Sequence, residues 1–439
     1  MLLEFKTKNY RSFKNEMVFS MIPAPKQKDL EYSIQKKKIG SNEYKALSSA
    51  VIYGPNASGK TNIIGAMDTF RSILIRGNIK NAESISSINT ASNNLELIPF
   101  YKADEPSPVS FSIKFIEEDM LIEYNLIIDI GLFLDENYKR NIIEESLSIN
   151  NKEIFTREKG LHIANIDSIS KYLNDSIETN LESALIISQN GLSVTDLFLT
   201  NGFKAIFSTK IVNLILNWIE NKFIIIYRAD SIKLARKFSD PKDDTIYVEK
   251  TLSEAAKEFG INSNALGYKQ TKEGSESVLL SIFKNDDQNV AIPAEIFESY
   301  GTIRFVNEFP LIIRALLTGS ILVIDEFDAS IHPMALMNII NIFHNDDINK
   351  NNAQLVFNTH NPIFLNGNLF RRDEIKFVER DDNTHESTHY SLSDFKTSGA
   401  NGVRKSEDYM KNYFVSRFGA IKDVDFSPIL ESLLLDNGE

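Results

Sequence analysis

The 439-residue sequence contains no cysteine, and it has only 6 histidines and 1 tryptophan. The lack of cysteine excludes disulfide frameworks, zinc sites built on thiolates and cysteine nucleophiles, and it favours a reducing compartment. Any chemistry must therefore use oxygen and nitrogen groups. Hydrophobic residues make up 42% and charged residues 25% of the chain. These shares are typical of folded, water-soluble proteins, and the length allows a sizeable core.

The sequence also lacks a long hydrophobic run and an excess of positive charge. Its most apolar window, 309–324, is interrupted by Arg314 and by a Thr-Gly-Ser triplet, so we expect no membrane span. The first residues do not have the pattern of a secretory signal, which predicts a cytoplasmic protein. Lys and Arg total 48 against 60 for Asp and Glu, a net charge of −12. This balance argues against a surface that binds nucleic acid everywhere, although a local basic groove and DNA binding stay open.

The order of predicted elements indicates the α/β class. A strand at 50–53 is followed by a helix over 59–76, and later strands at 321–324 and 354–358 flank a helix at 334–343. Several β-rich runs lie between 95 and 155. The sequence contains no heptad array, so we expect no long coiled coil. We predict three parts, namely an N-terminal half of the core with a β-rich lobe, a helical insertion and a C-terminal half of the core, at 1–160, 161–290 and 291–439. The predicted helices of the insertion are 180–187, 194–207, 211–221 and 252–259.

Residues 54–61 read GPNASGKT and match the phosphate-binding pattern GxxxxGK[ST] in full, between a predicted strand and a predicted helix. In this pattern the backbone N–H groups and the helix N-terminus hold phosphates, while Lys60 reaches the outer phosphates and the Thr61 hydroxyl ligates Mg²⁺. The alternative is a turn that caps an ordinary helix, which the flanking elements disfavour. We predict nucleotide contacts from Asn56, Ala57, Ser58, Gly59, Lys60, Thr61 and Asn62.

Polar side chains end two of the other predicted strands. Asp325 and Glu326 follow the strand at 321–324, and His360 follows the strand at 354–358. Ligands of open parallel sheets bind at this edge, so Asp325 could hold Mg²⁺ and Glu326 could polarise the water that attacks the γ-phosphate. Alone, each feature is more typical of a solvated strand end or a surface histidine. With the complete phosphate loop upstream, we predict Glu326 and His360 as catalytic residues, and Thr61 and Asp325 as metal ligands.

The chain resembles the ABC/SMC-like ATPases, and specifically the RloA/AriA-like group of AAA proteins from prokaryotic defence loci. The resemblance rests on five segments in order, LLEFKTKNYRSF at 2–13, GPNASGKTN at 54–62, ESYGT at 298–302, LVIDEFDASIHP at 322–333 and FNTHNP at 357–362. It implies a P-loop NTPase core that uses ATP and Mg²⁺.

The resemblance also implies a dimer as the working unit. Ser299, Gly301 and Thr302 would form the signature that closes over the γ-phosphate of ATP held by a second subunit. Residues 328–331 would connect the two sites, and His360 would be the switch histidine. The signature has Tyr300 and Thr302 where the transporter form LSGGQ has Gly and Gln. For Arg11, in the opening segment, a nucleotide contact and a surface role are equally open, and the strand expected near 97–101 contains no Gln that could sense Mg²⁺.

The segment HESTH at 385–389 also fits HExxH, the zinc-protease pattern that needs two histidines one helical turn apart. However, it follows the turn signal Arg-Asp-Asp-Asn and lies between β-like runs, so we predict a hairpin. In a strand, residues i and i+4 lie about 13 Å apart, which is too far for one zinc ion. The metalloprotease interpretation is therefore disfavoured.

These patterns favour an ATP-driven switch of antiphage defence that forms a homodimer or a higher homo-oligomer. No second acidic cluster resembles a nuclease site, so we expect a separate effector, which the resemblance implies is a TOPRIM-like or RloB-like nuclease. One alternative is a DNA-repair or chromosome-maintenance ATPase that clamps DNA, although the acidic balance and the missing coiled coil count against it. Another is a scaffold that binds ATP without hydrolysing it.

Overall fold

The computed structural model describes residues 1–25, 27, 30–80, 97–133, 135, 138–174, 186, 191–227, 245–248, 250–261, 263–270, 277–285, 288–397 and 402–436. Its strands, in chain order, are β1 Leu2–Lys8, β2 Met17–Ser20, β3 Ile34–Ile39, β4 Asn42–Leu47, β5 Ser49–Tyr53, β6 Val109–Glu117, β7 Met120–Asp129, β8 Asn141–Ile149, β9 Lys152–Arg157, β10 Leu161–Ile163, β11 Phe223–Ile226, β12 Ile246–Val248, β13 Ala265–Gln270, β14 Ser277–Asn285, β15 Gln288–Pro293, β16 Ile321–Ile324, β17 Gln354–Asn358, β18 Ile375–Arg380 and β19 Ser387–Ser391.

Most of the described α-helices lie in the second half of the chain. They are α1 Lys60–Arg76, α2 Lys204–Ile206, α3 Thr209–Asn217, α4 Lys250–Phe259, α5 Ala294–Phe297, α6 Tyr300–Thr318, α7 Pro333–His344, α8 Tyr409–Phe414 and α9 Ser427–Asp436. Single π-helical turns precede α2 and follow α3, at Leu199–Phe203 and Trp218–Lys222.

A six-stranded sheet with the order β11-β16-β17-β5-β18-β19 forms the centre of the protein. The first five strands are parallel, and β19 returns antiparallel to β18. Strands β16, β17 and β5 are direct neighbours, so their carboxyl ends meet at one edge of the sheet. This edge is where open α/β sheets bind ligands.

Both faces of the central sheet are covered, because alternate side chains of its strands enter two different hydrophobic clusters. On β5, Ala50 and Ile52 pack with α1 and the antiparallel sheet, whereas Val51 and Tyr53 pack with α6 and α7. All five residues of β5 are buried, which explains the continuous apolar run in its sequence. The rigid two-sided packing holds the loops at the carboxyl edge in place.

A seven-stranded antiparallel sheet with the order β10-β9-β8-β7-β6-β1-β2 lies beside the core. It includes the predicted β-rich lobe and also β1, which pairs with β2 and β6. The sole tryptophan, Trp218, stacks on Phe115 of this sheet with ring centroids 3.9 Å apart. The β-rich lobe and the first strand of the chain are therefore one layer.

The middle of the chain contains strands that the sequence patterns did not predict. Besides helical turns near 199–222 and 250–259, it holds β11, which joins the central sheet, and most of a four-stranded sheet, β12-β13-β14-β15. The lobe is therefore mixed rather than helical. Strands β13 and β14 alternate weakly, which is why the sequence pattern did not reveal them. The helix predicted at 180–187 lies, apart from residue 186, outside the described residues. Residues 97–101 form no strand, so that expectation was wrong.

Candidate nucleotide-binding site

The phosphate loop connects β5 to α1 at the carboxyl edge of the central sheet. Gly59 precedes α1 with a φ of 110°, and Ala57 has a φ of 62°, so two residues of the loop adopt the left-handed conformation. A Cβ atom at Gly59 would lie 2.6 Å from the Ser387 hydroxyl and 2.8 Å from the Ser12 hydroxyl. Only glycine fits here, which is the physical reason for the second Gly of the motif.

Lys60 lies inside the loop, and its side chain is bound by the loop itself. Its ammonium donates to the carbonyl oxygens of Gly54 at 2.7 Å and Pro55 at 3.0 Å. Burial lowers the pKa of Lys60 to about 8, while the carboxylates of Glu326, Asp325 and Asp328 act to raise it. A positive charge in such a partly dehydrated site attracts an anion strongly.

The structure brings together the two predicted metal ligands, which are far apart in sequence. The Thr61 hydroxyl donates to Asp325 Oδ1 at 3.1 Å, across the gap between α1 and the end of β16. Asn358, at the end of β17, also donates its amide to Asp325 Oδ1. Asp325 is only 4% exposed. A hydroxyl and a carboxylate oxygen at this spacing are ligands that suit Mg²⁺.

The two predicted catalytic residues lie at the same edge, and both are exposed. Partial burial and then the charge of Lys60 lower the pKa of His360, and the carboxylates of Glu326, Asp328 and Asp325 oppose this shift. The charges of the phosphate loop and of the acidic strand end therefore act on the His360 ring. Its imidazole is therefore neutral at pH 7, a state that can both accept and donate a hydrogen bond.

The predicted signature residues form the N-terminal end of α6. Ser299 is exposed and caps the helix, since its hydroxyl accepts from the Thr302 N–H at 3.1 Å. Gly301 is buried against residues 328–331, where a Cβ atom would lie 2.1 Å from the Ser330 carbonyl oxygen. The described contacts of Ser299, Gly301 and Thr302 are thus with one another and with this loop, while Ser299 faces solvent.

Three side chains that the sequence did not single out hold the phosphate loop from outside. The Asn62 amide, itself a predicted nucleotide contact, donates to the Ser12 hydroxyl at 2.7 Å, and the Ser387 hydroxyl donates to the Ser58 carbonyl at 2.6 Å. The Ser387 N–H donates to the Ser12 carbonyl at 2.7 Å. Arg380 reaches the Ala57 carbonyl at 3.4 Å. For these residues, the only signal in the sequence was the position of Ser12 in the opening segment, which ends in NYRSF.

Arg11 does not lie free on the surface. Its guanidinium donates to the Tyr227 hydroxyl at 2.8 Å and lies near the rings of Tyr10 and Tyr227. Arg11 has a φ of 52°, and its N–H donates to the Ile98 carbonyl. The opening segment is thus tightly packed beside α1.

The HESTH segment is a hairpin, as predicted. His389 lies on β19 and pairs with Val378 of β18, whereas His385 lies in the turn with a φ of 60°. Burial lowers the pKa of His389 to about 3, so its ring is neutral. Within the described residues, no three His, Asp or Glu side chains are grouped so that they could hold a metal ion. The segment contributes Ser387 to the phosphate loop instead.

The fold and the site define a P-loop nucleotide-binding protein. The family model described as "AAA domain, putative AbiEii toxin, Type IV TA system" matches residues 49–366. The match covers more than half of the chain and includes the phosphate loop, Asp325, Glu326 and His360, so the chain belongs to this family of AAA ATPases. The predicted membership of the AAA ATPases and the predicted α/β class are confirmed, and a prokaryotic defence group is consistent with this family.

Comparisons with solved structures and curated proteins add less. A crystal structure of the SmcHead bound to the C-winged helix domain of ScpA aligns with 12% sequence identity and a TM-score of 0.38, over 90% of this chain and 99% of that chain. No curated protein matches the sequence. Among the described residues, none of the helices combines the length and the apolar character that a membrane crossing requires.

Proposed function

We propose that this chain is an ATP-hydrolysing switch that dimerises around ATP and Mg²⁺ and controls a separate effector in prokaryotic antiphage defence. The observation that carries the proposal is the hydrogen bond between Thr61 and Asp325, which joins the phosphate loop to the end of β16 at 3.1 Å. It unites a phosphate-binding helix terminus with an acidic strand end, the two halves of a phosphoryl-transfer site.

In this proposal each side chain has a separate task. The N–H groups of the loop and the Lys60 ammonium bind the phosphates, and Thr61 and Asp325 would hold Mg²⁺. When bound, the metal would neutralise charge on the β- and γ-phosphates. Glu326 would orient the attacking water, and neutral His360 would contact that water or the γ-phosphate. Asn56 and Ala57 are exposed at the mouth of the loop, where a phosphate can reach them.

A second copy of the chain would complete the site. Ser299 presents its hydroxyl at the N-terminus of α6, an end that carries partial positive charge and favours anions. Gly301 and Thr302 are buried beside Ser299, so Ser299 is the exposed member of the three. ATP bound between the phosphate loop of one subunit and the Ser299 end of α6 of the other would join the subunits, and hydrolysis would weaken the joint.

The defence role rests on family membership. The description of the family names the AbiEii toxin and a type IV toxin–antitoxin system, and the sequence resembles proteins of defence loci. We propose that the effector is a separate nuclease. Co-purification of this chain with the product of a neighbouring nuclease-like gene, dependent on ATP, would support this arrangement, and an isolated gene would count against it.

Phosphate release by the wild type and by Glu326→Gln tests the enzymatic claim. We expect wild-type turnover with Mg²⁺ and ATP, and a loss of about 100-fold or more in Glu326→Gln, because the water loses its orienting carboxylate. ATP affinity should stay within about twofold, since the phosphates are bound by other groups.

The matched control is Glu386→Gln, a half-buried glutamate beside the same loop whose carboxylate accepts from Lys14 at 2.8 Å and from Asn15 at 3.5 Å. Its turnover should equal that of the wild type. Equal and negligible phosphate release by all three proteins, with ATP bound tightly, would instead establish a scaffold that does not turn over.

A further inference from the structure

The main chain of Glu326 is held from two sides in an unfavourable conformation. Its φ is 53°, in the left-handed region that a non-glycine residue adopts only when its surroundings hold it there. Its N–H donates to the side-chain oxygen of Asn358 on β17. Its carbonyl oxygen accepts from the Arg304 guanidinium of α6 at 2.5 Å and from the Ala329 N–H at 3.1 Å.

Arg304 is itself fixed by a buried ion pair. Its Nε donates to Glu308 Oε1 at 3.0 Å, one helical turn further along α6. Arg304 is 6% and Glu308 1% exposed. Burial raises the pKa of Glu308 to about 7, and the Arg304 charge acts against this rise. The two groups therefore form a buried ion pair, and Nη2 of the same guanidinium donates to the Glu326 carbonyl.

The same helix contacts the loop after Glu326 at a second point. Gly301 lies so close to the Ser330 carbonyl that a Cβ atom would be 2.1 Å from its oxygen. The first two turns of α6 thus touch both ends of the segment 326–330. Any movement of the α6 N-terminus must move that segment or break these contacts, because packed interiors do not deform freely.

We propose that Arg304, held by Glu308, is a positioning residue that sets the main chain of Glu326 and so links the N-terminus of α6 to the water-orienting carboxylate. The inference rests on the proposed function, in which the Ser299 end of α6 meets the nucleotide of a second subunit. Engagement of one nucleotide in trans would then align Glu326 of the other site. Arg304 itself contacts neither nucleotide.

The experiment compares Arg304→Lys, Arg304→Ala and Glu308→Gln with the control Arg314→Ala in the full chain. Arg314 is exposed on the same helix, and its described hydrogen bond goes to Asn221. Three quantities are measured for each variant: kcat for phosphate release, Kd for ATP, and amide hydrogen exchange of residues 325–331. Arg304→Lys keeps the charge beside Glu308 but shortens the reach to the Glu326 carbonyl, so it remains informative if Arg304→Ala does not fold.

We expect kcat to fall about 10- to 100-fold in the Arg304 variants, as for the loss of a hydrogen bond from a charged donor, with Kd for ATP within about twofold. Exchange at residues 325–331 should rise at least about tenfold, since the segment loses its anchor. Glu308→Gln should show a smaller change in the same direction, and Arg314→Ala should match the wild type.

Three results would overturn the inference. They are unchanged hydrogen exchange at residues 325–331 in Arg304→Lys, a kcat of the Arg304 variants equal to that of Arg314→Ala, or a loss of ATP affinity in the Arg304 variants that parallels their loss of kcat. The last result would indicate a general structural role. If the wild type binds ATP without turnover, the proposed function fails by itself. Hydrogen exchange at residues 325–331 then still tests whether Arg304 positions the main chain of Glu326.

Discussion

At the scale of single residues, the charge of Lys60 depends strongly on the groups around it. Lys60 is 5% exposed, its ammonium is bound to two loop carbonyls, and burial lowers its pKa to about 8. In an unfolded chain its pKa would be 10.5. The free protein therefore begins to lose this charge just above neutral pH, while a bound triphosphate favours the charged form.

We predict that ATP affinity of the wild type weakens as the pH rises above about 8, by up to about tenfold per pH unit, because binding then requires uptake of a proton by Lys60. Lys60→Arg should bind more weakly at pH 7, but its affinity should change much less between pH 7.5 and 9, since Arg stays charged. Calorimetric titration at several pH values measures both. Parallel pH profiles in the two proteins would contradict the assignment.

At the scale of elements, α6 connects two regions with different tasks. Its N-terminus carries the exposed Ser299, and its first two turns contact 326–330 through Gly301 and Arg304. The helix begins at Tyr300, because Ser299 provides the N-cap. The spacing of Arg304 and Glu308, i and i+4 within an apolar pattern, was the sequence signal for a buried pair.

We predict that Gly301→Ala lowers both stability and turnover. The new Cβ would lie 2.1 Å from the Ser330 carbonyl oxygen, so that carbonyl must move away. Overpacking of this kind costs about 1–3 kcal/mol, which should appear as a lower melting temperature. ATP binding at the phosphate loop should persist. Gly160→Ala is the control, since nothing lies within 4 Å of its added Cβ. Identical melting temperatures and turnover for the two variants would refute the prediction.

At the scale of the whole molecule, the site at the carboxyl edge is half of a larger arrangement in our proposal. The phosphate loop and the Ser299 end of α6 belong to different parts of one chain. Ser299 accepts from the Thr302 N–H, and Gly301 lies against the Ser330 carbonyl. A nucleotide that joins two chains would use one feature from each. Subunit association should therefore depend on ATP.

We predict that ATP doubles the mass of Glu326→Gln in light scattering, because the bound triphosphate is not consumed. Adding Ser299→Asp should abolish the doubling, since a carboxylate would face the γ-phosphate of the partner, whereas the neutral Ser299→Asn should retain most of it. Both substitutes are good N-caps, so α6 should remain intact. Equal association of the Asp and Asn variants would contradict the trans arrangement.

The amino-acid sequence by itself determined the class of the protein and the places of its polar motifs. Residues 54–61, the Asp325-Glu326 pair and His360 each follow a short apolar strand, and hydrophobic periodicity locates such strands from local residues alone. Strands β16 and β17 were predicted with their observed bounds. The roles of the motif residues in binding and hydrolysis stay predictions.

Only the tertiary structure decided which distant groups meet. It placed β1 in the antiparallel sheet, brought Ser387 to the phosphate loop across 329 residues, and set Arg304 and Asn358 on the two sides of the Glu326 main chain. Such contacts depend on strand order and on how closely helices pack against the sheet. Local periodicity carries no information on either, because the hydrophobic pattern of a helix or strand is the same whichever element packs against it.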